Sequence, residues 1–246
     1  MIPRVLAAAA ALVLLSGCPD PNTYGTPRTL APGDLQFQAA LGAWGGTASG
    51  STGLSPGLPS VGIRYGLVDR VDVGARIVGF TGLGGDLKLN VVRGRFDVAF
   101  DPGVQAFRLL GPTLGNASAN PVEVLQVHLP LLLGYNFDED RTLVLTPGFV
   151  ATATAGDVLV TGANNPQATS PTSDVLAFAT GGVGARLGLG VNIRTSDTFS
   201  WQPEVTVMHE LNGVESWVYV AGIGGNIGAQ PDYSEFAPPP EMSTLP

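Results

Sequence analysis

The stretch Val124-Leu125-Gln126-Val127-His128-Leu129-Pro130-Leu131-Leu132-Leu133-Gly134-Tyr135-Asn136-Phe137 alternates with a period of two. Its odd positions, Leu125, Val127, Leu129, Leu131, Leu133, Tyr135 and Phe137, are all apolar, whereas its even positions include Gln126, His128, Pro130, Gly134 and Asn136. Successive side chains on a β-strand point to opposite faces, so the stretch predicts a strand with one apolar face and one face of polar groups and glycine. Residues 183–194 repeat the pattern: Val183, Ala185, Leu187, Leu189, Val191 and Ile193 alternate with Gly184, Arg186, Gly188, Gly190, Asn192 and Arg194. Residues 199–210 set Phe199, Trp201, Val205 and Val207 against Ser200, Gln202, Glu204, Thr206 and Glu210.

Working outward, ten such segments are predicted, at about 34–45, 58–67, 71–79, 84–92, 95–109, 123–137, 141–155, 175–194, 199–210 and 215–229. Tight turns at Asp69-Arg70, Arg93-Gly94, Asp138-Glu139-Asp140 and Thr195-Ser196-Asp197-Thr198 alternate with longer connections. The longest of these, 46–57, 110–122 and 156–174, are rich in Gly, Ser, Asn and Pro. Short turns on one side and longer loops on the other predict an all-β, closed up-and-down antiparallel transmembrane β-barrel of about ten strands (8–12). Most segments reach the roughly 9–11 residues that a tilted membrane strand needs. Aromatics on the apolar face fall near strand ends: Tyr65, Phe96, Tyr135, Phe137, Phe199 and Trp201 by the short turns, and Phe107, Phe178, Trp217 and Tyr219 at the other side. Two aromatic belts are expected at two membrane interfaces.

Composition points the same way. Charged residues make up only 13% of the chain, apolar residues 44%, and there are 34 glycines. No clean apolar run of about 18 residues follows the N-terminal segment, so a spanning helix is not predicted. The net charge of −8 argues against a nucleic-acid partner, which needs a basic face.

At the N-terminus, Met1 to Arg4 carry positive charge, residues 5–15 are apolar, and Leu15-Ser16-Gly17-Cys18 closes the run with small residues. That is the order of a secretory signal, here residues 1–17. Cys18 is the single cysteine, so an internal disulfide is ruled out. Residues 18–33 are proline-rich and polar and read as an extended tether, 34–229 as the barrel, and 230–246, with Pro231, Pro238, Pro239, Pro240 and Pro246, as a disordered periplasmic tail.

Two resemblances add to this. Leu15-Ser16-Gly17-Cys18 resembles the lipobox of bacterial lipoproteins, which implies lipidation at Cys18 and, with both termini on the short-turn side, an anchor in the inner leaflet of the outer membrane. Gly62-Ile63-Arg64-Tyr65-Gly66-Leu67-Val68-Asp69-Arg70-Val71-Asp72-Val73-Gly74-Ala75-Arg76, followed by Asp86-Leu87-Lys88-Leu89, resembles the strand–turn–strand signature of bacterial outer-membrane β-barrel proteins. Tyr24-Gly25-Thr26-Pro27-Arg28-Thr29-Leu30 resembles the start of uncharacterised barrel lipoproteins of Gram-negative bacteria. One departure stands out. Many such barrels end in an aromatic residue, and here a proline-rich stretch follows the last strand, with Tyr233 and Phe236 close by.

On the lumen face the alternation collects Arg64, Asp72, Arg76, Asp86, Lys88, Asp97, Arg186, Arg194, Glu204 and Glu210, together with Asp34 and Asp101. Opposite signs in a narrow tube predict a network of ion pairs that fills the lumen, because an unpaired buried charge costs several kcal/mol. The alternative use of such charges is a selectivity lining.

Chemistry is predicted to be absent. His128 falls on the lumen face and His209 on the lipid face, and no serine-plus-histidine motif accompanies either. One cysteine and two separated histidines give no metal-ligand spacing, and the glycine clusters near Gly182 and Gly222 lack phosphate-loop spacing, so no cofactor is expected. The sequence predicts a non-enzymatic envelope protein of the outer-membrane bilayer, with a structural or surface-interaction role. Its long loops are the candidates for binding an extracellular ligand or an envelope protein. A narrow solute pore and a soluble periplasmic lipocalin-like lipoprotein holding an apolar ligand are the alternatives.

Overall fold

The computed structural model describes residues 21–48, 51–57, 59–79, 82–109, 122–155, 182–211 and 216–236. Cys18, the signal segment, the loops 110–121 and 156–181, Phe178 and the tail beyond Phe236 lie outside the described residues.

Twelve strand segments follow in chain order: β1 (Leu35–Ala48), β2 (Ser51–Pro56), β3 (Ser60–Val68), β4 (Val71–Val78), β5 (Gly82–Val92), β6 (Phe96–Phe100), β7 (Gly103–Leu109), β8 (Val122–Asn136), β9 (Arg141–Ala155), β10 (Gly182–Ser196), β11 (Phe199–Glu210) and β12 (Ser216–Gly228). All pair antiparallel with their neighbours, and β12 returns to β1, from Gln36 opposite Gly228 to Ala48 opposite Ser216. The sheet is therefore closed on itself, and among the described residues β2 is paired on one side alone.

Two staves are broken. β2 and β3 both pair with β1 and meet near Gly57, whose N–H donates to the Gly42 carbonyl at 2.8 Å. β6 and β7 share the place between β5 and β8, and Asp101-Pro102 interrupts them. Proline has no N–H to give the ladder, so a break there is its expected effect. Merging each broken pair leaves ten staves in up-and-down order, as the alternation predicts. The predicted loop 46–57 is corrected. Ala43 to Ala48 pair with Pro56 to Ser51, so the first hairpin runs on as a ladder.

The barrel is apolar outside and polar inside. Phe37, Leu83, Phe96 and Leu187 stand half or more exposed on its outer face, while Asp72, Asn136, Gln202 and Thr206 are fully buried within it. A water-soluble barrel has the opposite arrangement. Together with closure, this identifies an outer-membrane-type transmembrane barrel, whose wall is bonded strand to strand. Tyr65, Phe96, Phe137 and Phe199 are exposed near the short turns, and Trp217 and Tyr219 at the far side. Phe96, Tyr135 and Phe137 form a chain of ring contacts at 4.9 and 5.0 Å.

Part of the lumen is apolar too. Trp44, Val150, Met208, Val218 and Val220 form a buried cluster in its long-loop half.

The largest difference from the sequence reading lies at the two ends of the chain. Residues 21–30, expected to be an extended tether, run through the lumen, with Asn22, Tyr24, Arg28 and Leu30 at 2% exposure or less. After β12 the chain turns back over the short-turn side instead of trailing away. Ser234–Phe236 form a 3-10 turn, and Tyr233 is buried. Proline-rich composition reads as a tether because it forms no ladder of its own. Here the barrel wall supplies the partners that the segment lacks.

Candidate functional site: a lumen filled by the chain's own N-terminal segment

The segment enters β1 at the short-turn end, and its contacts rise along the lumen toward its N-terminal side. Lowest, Leu30 N–H donates to Asp72 Oδ2 at 3.2 Å, and Asn90 donates to the Pro27 carbonyl at 3.1 Å. Lys88 donates to the Thr26 carbonyl at 3.0 Å. Above these, Gln38 and Asn226 both donate to the Tyr24 carbonyl, at 3.0 and 3.3 Å. The Glu204 carboxylate then receives two successive backbone N–H groups, from Thr23 at 3.0 Å and Tyr24 at 2.8 Å, with Gln202 bracing it at 3.1 Å. Charge-assisted bonds to adjacent amides fix a backbone more firmly than neutral ones.

The wall is shaped to receive this segment. A Cβ added at Gly224 would lie 2.5 Å from Cβ of Tyr24, and one at Gly222 would collide with the Tyr24 hydroxyl. Gly134 faces Pro27 in the same way, its added Cβ 2.9 Å from the proline ring. Glycine on a strand marks a close approach by another backbone or ligand, and here that partner is residues 24–27. Tyr24 itself sits at φ 48°, a left-handed conformation that a bulky side chain rarely adopts, held by the contacts above.

Arg28 joins the two ends of the chain. Its Nε donates to Asp97 at 2.7 Å, its Nη1 donates to Glu235 at 3.0 Å and to the Asp232 carbonyl, and its guanidinium lies 4.4 Å from the Tyr233 ring centre and 5.2 Å from that of Phe236. Asp97 also receives the Gly94 N–H at 2.7 Å and Asn136 Nδ2 at 2.8 Å. The Arg28 hydrogen bond holds the Glu235 carboxyl below its ordinary range, and the Ser234 amide does the same for Asp232. Burial pushes the Tyr233 phenol up to about 12.

The predicted lumen charges divide into three groups. Arg64, Asp72, Arg76, Asp86 and Lys88 come together: Arg64 pairs with both Asp72 and Asp86, Arg76 with Asp86 at 3.4 Å, and Lys88 with Asp72 at 3.6 Å, with Asp101 3.9 Å from Arg64. Asp97 and Glu204 face the N-terminal segment instead, and Arg186 lies 3.9 Å from Glu204. Arg194 and Glu210 do not join. Arg194 pairs with Asp197 at 3.2 Å beside the β10–β11 turn, and Glu210 is held by Ser216 at the long-loop end. Strand parity places a side chain on a face but not at a height, and both residues lie too near a strand end to reach the central pairs.

The histidines sit apart. His128 lines a small cleft with Arg76, Asp86, Gln105, Arg186 and residues 21–23, whereas His209 stacks on Trp217 with ring centres 4.4 Å apart. Among the described residues no group of three or more His, Cys, Asp or Glu side chains is placed to hold a metal.

Residues 22–30, Tyr233 and Glu235 are the participants that the alternation could not supply, while Gln38, Gln202 and Asn226 stand on predicted strands without having been singled out for this role. The available signal was indirect: glycines at 134, 222 and 224 on the lumen face, among others there such as Gly188 and Gly190.

No protein-family model matches the chain, and neither does any curated protein sequence. Solved structures with a similar outline include Neisserial surface protein A, at 6% identity over 78% of this chain and 96% of that one, with a TM-score of 0.39. The attachment invasion locus protein Ail of Yersinia pestis, solved with the heparin analogue sucrose octasulfate, matches at 9% identity over 80% and 99%, with a TM-score of 0.35. The translocator domain of the autotransporter NalP from Neisseria meningitidis matches at 14% over 79% and 88%, with a TM-score of 0.46. These likenesses are loose, and the barrel stands on its own register and burial.

Proposed function

We propose that this protein is a bacterial outer-membrane barrel whose lumen is closed by its own N-terminal segment, lipidated at Cys18, with a non-enzymatic structural or surface-interaction role in the cell envelope. The observation that carries this is the seating of residues 22–30 on buried wall groups, with Glu204, Asp72 and Asp97 each bonded to that segment. A conducting pore needs a continuous wet path with sites weak enough for solutes to leave. Here Glu204, Asp72, Asp97, Lys88 and Asn90, which would line such a path, are bonded to residues 22–30. With the lumen filled, the outer loops are the parts left free to meet partners, and a rigid closed barrel is a suitable scaffold for them. The inward ion pairs fix register and fill space.

Planar-bilayer recording tests closure. The intact protein is expected to give no stable conductance, and Gly222→Val with Gly224→Val, which occupies the Tyr24 seat, is expected to open discrete steps. Steady conductance by the intact protein contradicts the proposal.

A further inference from the structure

We propose that the outer face of the barrel carries a seat for one phospholipid with a phosphoethanolamine headgroup, at the short-turn rim beside β6 and β8, with Arg95 holding its phosphate. The arginines of this rim are not alike. Arg70 lies 3.9 Å and Arg93 3.7 Å from Asp69, Arg141 lies 2.6 Å from Asp138, and Arg194 lies 3.2 Å from Asp197. Arg95 is exposed, and among the described residues no carboxylate stands within 4 Å of it. Its place is nevertheless set. The Arg95 carbonyl accepts the Asn136 N–H at 2.9 Å, its Nη2 donates to the Phe137 carbonyl at 3.2 Å, and its guanidinium lies 5.6 Å from the Tyr135 ring centre. Tyr135 pairs with Phe96 on the lipid-facing side of the wall and meets Phe137 edge-on. The cation is thus fixed against a lipid-facing ring, with most of its five N–H donors left over. An arginine fork matches the oxygens of a phosphate, and an interfacial tyrosine sits at the level where lipid phosphates lie.

The surroundings select the rest of the ligand. Toward the membrane centre, Phe96 opposite Tyr135, Val98 opposite Leu133 and Phe100 opposite Leu131 make three successive outward rows. They span roughly 13 Å of strand, an apolar track along which an acyl chain can lie. On the other side of the guanidinium, the turn after Phe137 carries Glu139 and Asp140, neither with a cation within 4 Å among the described residues. Asp138 beside them is taken by Arg141. Apolar rows, then a cation, then carboxylates is the order that complements an acyl chain, a phosphate and an ammonium. A glycerol headgroup, which has no ammonium, leaves the acidic turn unpaired. The proposal rests on the barrel spanning a bilayer, and on neither closure of the lumen nor lipidation.

The test is native mass spectrometry of the intact folded protein in a mild non-ionic detergent. Phosphatidylethanolamine and phosphatidylglycerol of the same acyl composition are added in equal amounts. The seat predicts one retained phospholipid per barrel, drawn mainly from the phosphatidylethanolamine. Arg95→Gln should lower the bound fraction about tenfold, the effect of losing hydrogen bonds to a charged group. Arg141→Gln removes an equally outward arginine that already has its own carboxylate, and should leave binding unchanged. Glu139→Gln with Asp140→Asn should keep a lipid bound and abolish the preference between the two. Equal retention by Arg95→Gln overturns the seat, as does a folded barrel that retains neither lipid. Equal or stronger retention of phosphatidylglycerol by the intact chain overturns the ethanolamine assignment. Folding of each protein is checked by its shift in mobility on boiling, and an intact chain that shows no shift counts against the barrel itself. Should Arg95→Gln fail that check, Arg95→Lys takes its place. It keeps the charge without the planar fork, so weaker binding than the intact chain supports the seat and unchanged binding overturns it.

Discussion

Single residues decide whether the lumen is filled. Glu204 looked like one more interior carboxylate, yet its role is to receive the amides of Thr23 and Tyr24. Glu235, nearly half exposed, belongs to the Arg28 junction, and that bond lowers its carboxyl from the ordinary 4.5. A carboxyl lowered by folding contributes stability that is complete above its unfolded value and is lost as pH falls through the folded one. The C-terminal segment is therefore expected to stay docked at neutral pH and to loosen as pH drops below 4.5. A spin label at Ser234→Cys checks this: its mobile fraction should rise only on that acid side, and a label equally immobile throughout contradicts the Glu235 link.

Among the elements, the strands were legible and the plug was not. Every stave shows in the sequence because membrane and lumen impose opposite chemistry on alternate residues, and that leaves a period of two. Residues 21–33 carry no such period, for their partners come from five or more strands, each bonding the segment at one or two points. Asp97 illustrates the limit. Parity placed it in the lumen correctly, but its partner Arg28 lies 69 residues earlier in a segment read as tether. The first hairpin was missed for a related reason, since a Gly- and Ser-rich stretch reads as loop unless the opposite strand is known. Removing Arg28 leaves Asp97 buried without its cation, a change that costs about 3–5 kcal/mol where a buried pair is broken. Arg28→Ala should lower the temperature at which the folded form converts to the unfolded mobility. Arg28→Ala with Asp97→Asn should lower it less than the sum of the two single changes, because paired groups are not additive. Additive shifts contradict the junction.

For the whole molecule, the question that sequence alternation left open was which face is inside, since a soluble barrel alternates equally well. The structure answers it through burial: Leu83 and Phe96 face out, Asp72 and Gln202 face in, and β12 closes on β1. Such an exterior has only one stable solvent, a hydrocarbon layer. The direct test is the Cys18→Ser variant, exported by an ordinary signal so that no lipid holds it, followed by membrane fractionation, carbonate washing and electrophoresis before and after boiling. An integral barrel stays in the outer-membrane fraction and shifts mobility on boiling. A protein that washes free into aqueous buffer and shows a single mobility contradicts the account.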